Sequence, residues 1–114
     1  MILAKFYAAA DGSLHMKAAG HAAAAPKGED LVCAGASTLA EALARAVERL
    51  YYQGMLRRCP RVELYEGNAE IIAQPKPVFR TEAAMVFWTV QNGMAALAES
   101  FPENVKLEEV LRIS

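Results

Sequence analysis

The sequence predicts an α+β domain, an antiparallel sheet of about four strands in β-β-α-β-β-α order with two helices on one face. Three observations carry this. Two pairs of short alternating apolar runs each flank a tight-turn dipeptide, Asp11-Gly12 and Gly67-Asn68. Two long stretches repeat their apolar residues at helical spacing. The 114 residues are 54% hydrophobic, enough for one packed core, and suit one domain spanning 1–114.

The first strand follows from Ile2, Ala4, Phe6 and Ala8 alternating with Leu3, Lys5 and Tyr7. After the Asp11-Gly12 turn, Leu14, Met16 and Ala18 share one face, with His15, Lys17 and Ala19 on the other. A strand carried to its end would put His21 on the face of His15 and Lys17. From Ala22 to Asp30 no period survives and Pro26 and Gly28 break the pattern, so a mobile loop is expected.

A helix is expected from about Leu31, with Leu39, Leu43, Val47 and Leu50 as its apolar stripe. Glu41 and Arg45 form an i, i+4 pair on its wetter face. Asp30 is placed to cap its start and Gly54 to end it. Pro60 then opens a hairpin. A two-residue Gly67-Asn68 turn would set Leu64 opposite Ile71 and Val62 opposite Ala73. A second helix, Thr81 to Ser100, presents Ala83, Phe87, Val90, Met94, Leu97 and Phe101 as one stripe. Met85, Trp88 and Ala95 lie apart from that stripe, a second apolar patch suited to a homodimer contact. Val105 and Leu107 alternate with Lys106 and Glu108, enough for a short C-terminal edge strand.

Twelve basic and thirteen acidic residues give a formal charge of −1, which offers no global attraction to nucleic acid or an anionic membrane. Arg57, Arg58 and Arg61 are read as a solvated edge. Two cysteines without a CxxC spacing supply neither a disulfide framework nor a zinc site, so no metal or cofactor is called for, and free thiols suit a reducing cytoplasm. Lys5 and Asp11 interrupt MILAKFYAAADG, which is not expected to form an export-signal core, and no run is long enough for a membrane helix.

The chemistry concentrates between Gly20 and Ser37. A cysteine near a helix start faces unpaired N–H groups and the positive end of the helix dipole, which favour its thiolate. A histidine that takes the thiol proton favours the thiolate further. Cys33 and His21 fit as nucleophile and base. Backbone N–H groups near Cys33 and Ala34 would hold a developing oxyanion, and Gly35 beside the small Ala34 would admit a substrate backbone. By residue type alone, an inert packed thiol is the competing reading.

The longer string is more specific. Gly20-His21, a separation of 12, and then Asp30-Leu31-Val32-Cys33-Ala34-Gly35-Ala36-Ser37 closely resemble the ribosomal-processing cysteine protease family, Prp. The resemblance extends along the chain to Phe101-Pro102-Glu103-Asn104-Val105-Lys106-Leu107. It implies a cytoplasmic, homodimeric cysteine endopeptidase that removes the N-terminal extension of large-subunit ribosomal protein twenty-seven. Cys33 is then the nucleophile and His21 the general base. The loop with Gly20, Ala22, Pro26 and Gly28 is expected to move without substrate, leaving His21 beyond hydrogen-bond reach of Cys33, and to order over the peptide. That loop reads AAAAPKGE, unlike its relatives, which leaves its substrate contacts open.

Asp30 is read as a helix cap or an orienter of His21, and Ser37 as a hydrogen-bonding group one turn after Cys33. A partly basic, extended peptide is the expected substrate, with Glu29, Asp30 or hairpin carboxylates attracting it. His15 is read as a solvated strand residue and Cys59 as structural. The alternative function is a non-catalytic dimeric module, ribosome-associated or peptide-binding, in which Cys33 only packs; fast thiol alkylation near neutral pH separates the two.

Overall fold

The computed structural model describes residues 1–20 and 27–113, with the backbone alone for 27–30. Its elements run β1 (Ile2–Ala8), β2 (Leu14–Ala19), α1 (Lys27–Tyr52), β3 (Arg61–Tyr65), β4 (Asn68–Ala73), a single 3-10 turn (Pro77–Phe79), α2 (Arg80–Ser100) and β5 (Val105–Glu109). They form the expected α+β architecture with one five-stranded sheet, ordered β3-β4-β2-β1-β5. The first four strands pair antiparallel, and the C-terminal strand joins the far edge parallel to β1, so the sheet is mixed.

The β1–β2 hairpin closes at Ala9 and Ser13, with the Ala9 N–H donating to the Ser13 carbonyl at 2.9 Å. Asp11 tightens the turn, its Oδ1 accepting from the Ser13 N–H at 2.9 Å and from the Ser13 hydroxyl at 2.6 Å. The second hairpin departs from expectation. Its two-residue loop is Glu66-Gly67, not Gly67-Asn68, because Gly67 takes a left-handed φ of 78° that suits the second loop position. Val62 therefore pairs with Ile71 and Leu64 with Ala69. A shift of two positions keeps every side chain on its expected face.

α1 also begins earlier than expected, since Lys27 to Asp30 are helical. The loop expectation thus fails for Lys27, Gly28, Glu29 and Asp30. At the other end the Gly54 N–H donates to the Tyr51 carbonyl and the Met55 N–H to the Leu50 carbonyl, both at 3.0 Å. That double return is the glycine-ended stop expected at Gly54. Glu41 and Arg45 pair at 3.2 Å on the exposed side.

Both helices cover one face of the sheet. Ala4, Phe6, Leu14, Met16, Ile71 and Ala73 point toward Leu43, Val47, Ala83, Phe87 and Met94, and all are buried. Each large side chain here contributes about 1.5–3 kcal/mol by leaving water. The α1 stripe is broader than leucine spacing suggested. Val32, Ala36, Ala40 and Ala44 are buried with Leu43 and Val47, while Leu39 and Leu50 sit at its margin. The small residues bring α1 and α2 together, and a Cβ at Gly93 would stand 2.5 Å from Leu39 Cδ2.

One buried polar residue escaped the stripe reading. Gln91 lies among the apolar residues of α2, where its side-chain amide donates to the Leu111 carbonyl and its Oε1 accepts from the Leu111 N–H. This two-point bond fastens the segment after β5 over the helix. Met85 and Trp88 stand clear of the buried stripe and are exposed. Among the described residues, no helix is long and apolar enough to cross a membrane.

Candidate active site

Cys33 lies on the seventh residue of α1, in its second turn. Side chains at i, i+3, i+4, i+7 and i+8 share one helix face, and Cys33, Ala36, Ser37, Ala40 and Glu41 follow that series. All five line an open cleft of about 460 Å³. The opposite wall comes from the β3–β4 hairpin, Leu64 to Ala69, and the end from Ile2, Ala18 and Gly20. Its volume falls in the range of sites that hold small ligands or a few peptide residues. The thiol is free and half-buried.

The end of the cleft is tied to its hairpin wall at Gly20. Its N–H donates to the Gly67 carbonyl at 2.9 Å, so the residue leaving β2 is fixed to the hairpin loop. Gly20 has a φ of 108°, and a Cβ there would stand 2.1 Å from the Met1 carbonyl oxygen. No side chain fits at this position.

Several expectations change. Asp30 is inside the first turn of α1, not at its cap. With the helix starting at Lys27, the N–H groups of Cys33 and Ala34 lie beyond the four unpaired donors of its start, so they are intrahelical and not free to hold an oxyanion. Ala34 is exposed and lies outside the cleft lining, and its carbonyl accepts from the Thr38 hydroxyl at 2.8 Å. Gly35 faces the other helix, since its Cβ would meet Leu97 Cδ2 at 3.2 Å. Its smallness serves helix packing and not the approach of a substrate. Ser37 does line the cleft, as its spacing from Cys33 suggested. His21, Ala22 and Pro26 lie outside the described residues, as does the expected His21–Cys33 separation.

Leu64, Tyr65 and Asn68 are cleft residues that the sequence did not single out, and Glu66 is the hairpin carboxylate that lines the cleft. The turn dipeptide was visible, but nothing local says that this turn folds back beside α1. The fold also makes a second cleft, of about 360 Å³, bringing Cys59 beside Asp11, Ser13, His15, Arg58 and Arg61. Cys59 is exposed, which contradicts its structural reading. His15 is half-buried, not the solvated strand residue expected. Its ring stacks on Tyr7 with centroids 4.7 Å apart, and Nε2 lies 2.8 Å from the Ser13 hydroxyl. Burial is the main reason its pKa is lowered, with Lys17 adding to it against Asp11 and Glu70. Among the described residues no three His, Cys, Asp or Glu side chains are placed to hold a metal ion.

This cleft belongs to a chain whose residues 1–106 match the family model of cysteine protease Prp. The chain belongs to the Prp family. It is therefore a cysteine protease of the ribosomal-processing type. Solved structures agree on the fold. A Streptococcus mutans protein, SMU.848, is 27% identical with a TM-score of 0.70, over 98% of this chain and 96% of that one. The essential ribosomal processing protease Prp of Staphylococcus aureus, in complex with a substrate peptide, is 20% identical with a TM-score of 0.63, over 96% and 100%. The same enzyme with a covalently linked product peptide gives 21% and 0.61, over the same shares. No curated protein matches the chain.

Proposed function

We propose that this Prp-family protease removes the N-terminal extension from the precursor of large-subunit ribosomal protein twenty-seven, with Cys33 as nucleophile and His21 as general base. The observation that carries the reading is the Cys33 thiol lining an open cleft large enough for a few peptide residues. His21 takes the thiol proton and Cys33 Sγ attacks the scissile carbonyl carbon. The tetrahedral intermediate collapses to a thioester, and the new amine leaves with the proton from His21. Water, deprotonated by His21, then hydrolyses the thioester and frees the extension as a carboxylate. Ser37 is one candidate donor near the reacting carbonyl, and Asp30, in the first turn of α1, is the candidate orienter of His21.

In this reading the enzyme works in the cytoplasm as a homodimer through the exposed Met85 and Trp88, without cofactor, membrane or direct nucleic-acid contact, and residues 1–114 act as one domain. The test is to incubate the protein with the extended ribosomal precursor and weigh the products. Cleavage by the parent and none by Cys33→Ser or His21→Ala is expected. An uncut precursor in the presence of folded parent protein overturns the reading for this substrate.

A further inference from the structure

Among the described residues the outer backbone edge of β3 is open, and it runs into the cleft that holds Cys33. β3 is the terminal strand of the sheet. Which of its backbone groups face outward follows from Gly20. The Gly20–Gly67 bond points the odd residues of β4 toward β2, so the even residues Asn68, Glu70 and Ile72 point toward β3. Their partners Tyr65, Glu63 and Arg61 are thereby bonded inward. The N–H and C=O groups of Val62 and Leu64 face out, and among the described residues no backbone partner takes them.

An edge with free alternate donors and acceptors is a template for another strand. The far face of β3 is braced by charge, with Arg61 bonding Glu63 at 2.7 Å and Glu70 at 3.4 Å, while Leu64 and Tyr65 leave large apolar surface at the cleft end. The occupant such an edge fits here is an extended peptide. Its backbone would continue the sheet, and its path along Leu64 brings it to the wall opposite the Cys33 thiol.

We infer that substrate peptide adds to the free edge of β3 as a sixth strand, anchored by the backbone groups of Leu64 and Val62. The inference rests on the peptidase reading above and adds how the peptide is held. Strand addition fixes an extended chain with its carbonyls in register, so Leu64 is a positioning residue that need not touch the reacting atoms.

The test uses a synthetic peptide spanning the extension junction of the ribosomal precursor, with single backbone N-methyl groups moved along it. Loss of one net hydrogen bond is about a fivefold rise in KM, so the rise is expected at alternate residues and not between them. On the protein, Leu64→Pro removes an outward N–H and leaves the β3–β4 ladder intact, whereas Leu64→Ala keeps that N–H. KM is expected to rise about fivefold more for Leu64→Pro than for Leu64→Ala. A cut peptide with no alternation overturns strand addition alone, and an uncut parent peptide overturns the peptidase reading and strand addition with it. A Leu64→Pro variant whose sedimentation changes while its KM does not gives the edge to a second copy of the chain, and overturns the inference.

Discussion

Replacing Gly20 by alanine tests the geometry that ties β2 to the cleft. The new Cβ would lie 2.1 Å from the Met1 carbonyl oxygen, and real contacts of this kind essentially never fall under 3.0 Å. The backbone must open by the difference. That movement takes with it the Gly20 to Gly67 bond of 2.9 Å and the neighbouring Ile2 to Asn104 bond of 2.7 Å. Two hydrogen bonds are worth about 2 kcal/mol together, and holding alanine at positive φ costs about 1–3 kcal/mol more. The expected loss is about 4 kcal/mol, which for a chain of this size lowers Tm by roughly 15 °C. Gly54→Ala is the control. Gly54 also has a positive φ, of 77°, but a Cβ there meets nothing within 4 Å. It pays the backbone term alone, about 1–2 kcal/mol. Urea unfolding followed by far-UV circular dichroism, with Trp88 fluorescence as a second probe, measures both variants. Equal losses for Gly20→Ala and Gly54→Ala would refute the close-approach argument.

Gln91→Ala leaves the buried Leu111 N–H and C=O without their partner and is expected to cost about 2–4 kcal/mol, with hydrogen exchange rising first at the Leu111 amide. Gly35→Ala turns a methyl toward Leu97 and gains helix propensity of about 1 kcal/mol against slight crowding, so stability changes by under about 1 kcal/mol and KM stays at the parent value; a raised KM would return Gly35 to the substrate cleft. His15 has a folded pKa below its unfolded value, chiefly through burial, so the unfolded chain binds the extra proton. Stability from this group is complete above about pH 6.5 and is lost as pH falls through the folded pKa, and His15→Phe is expected to flatten that slope in denaturation midpoints measured from pH 7.5 to pH 5.

Much of this protein is written in local pattern. Ile2, Ala4 and Phe6 alternate because one face of β1 is buried, and Phe87, Val90 and Met94 recur because one side of α2 is. Those periods need no knowledge of what covers them. Gly54 announces a helix end for an equally local reason, since its own φ makes the stop. The string from Gly20-His21 to Ser37 resembles the Prp family through residue identity and spacing alone. What sequence left undecided are matters of distance across the chain. The true helix start shows that the N–H groups of Cys33 and Ala34 are intrahelical, and Gly35 owes its smallness to Leu97, 62 positions away in sequence. His15 stacks on Tyr7 only because β1 and β2 pair in that register. The cleft has the same origin. Cys33 supplies a thiol and Leu64 an apolar edge, but only packing of α1 beside the β3–β4 hairpin puts them on facing walls. Periodicity reports which side of an element is dry, and tertiary packing alone decides which dry sides meet.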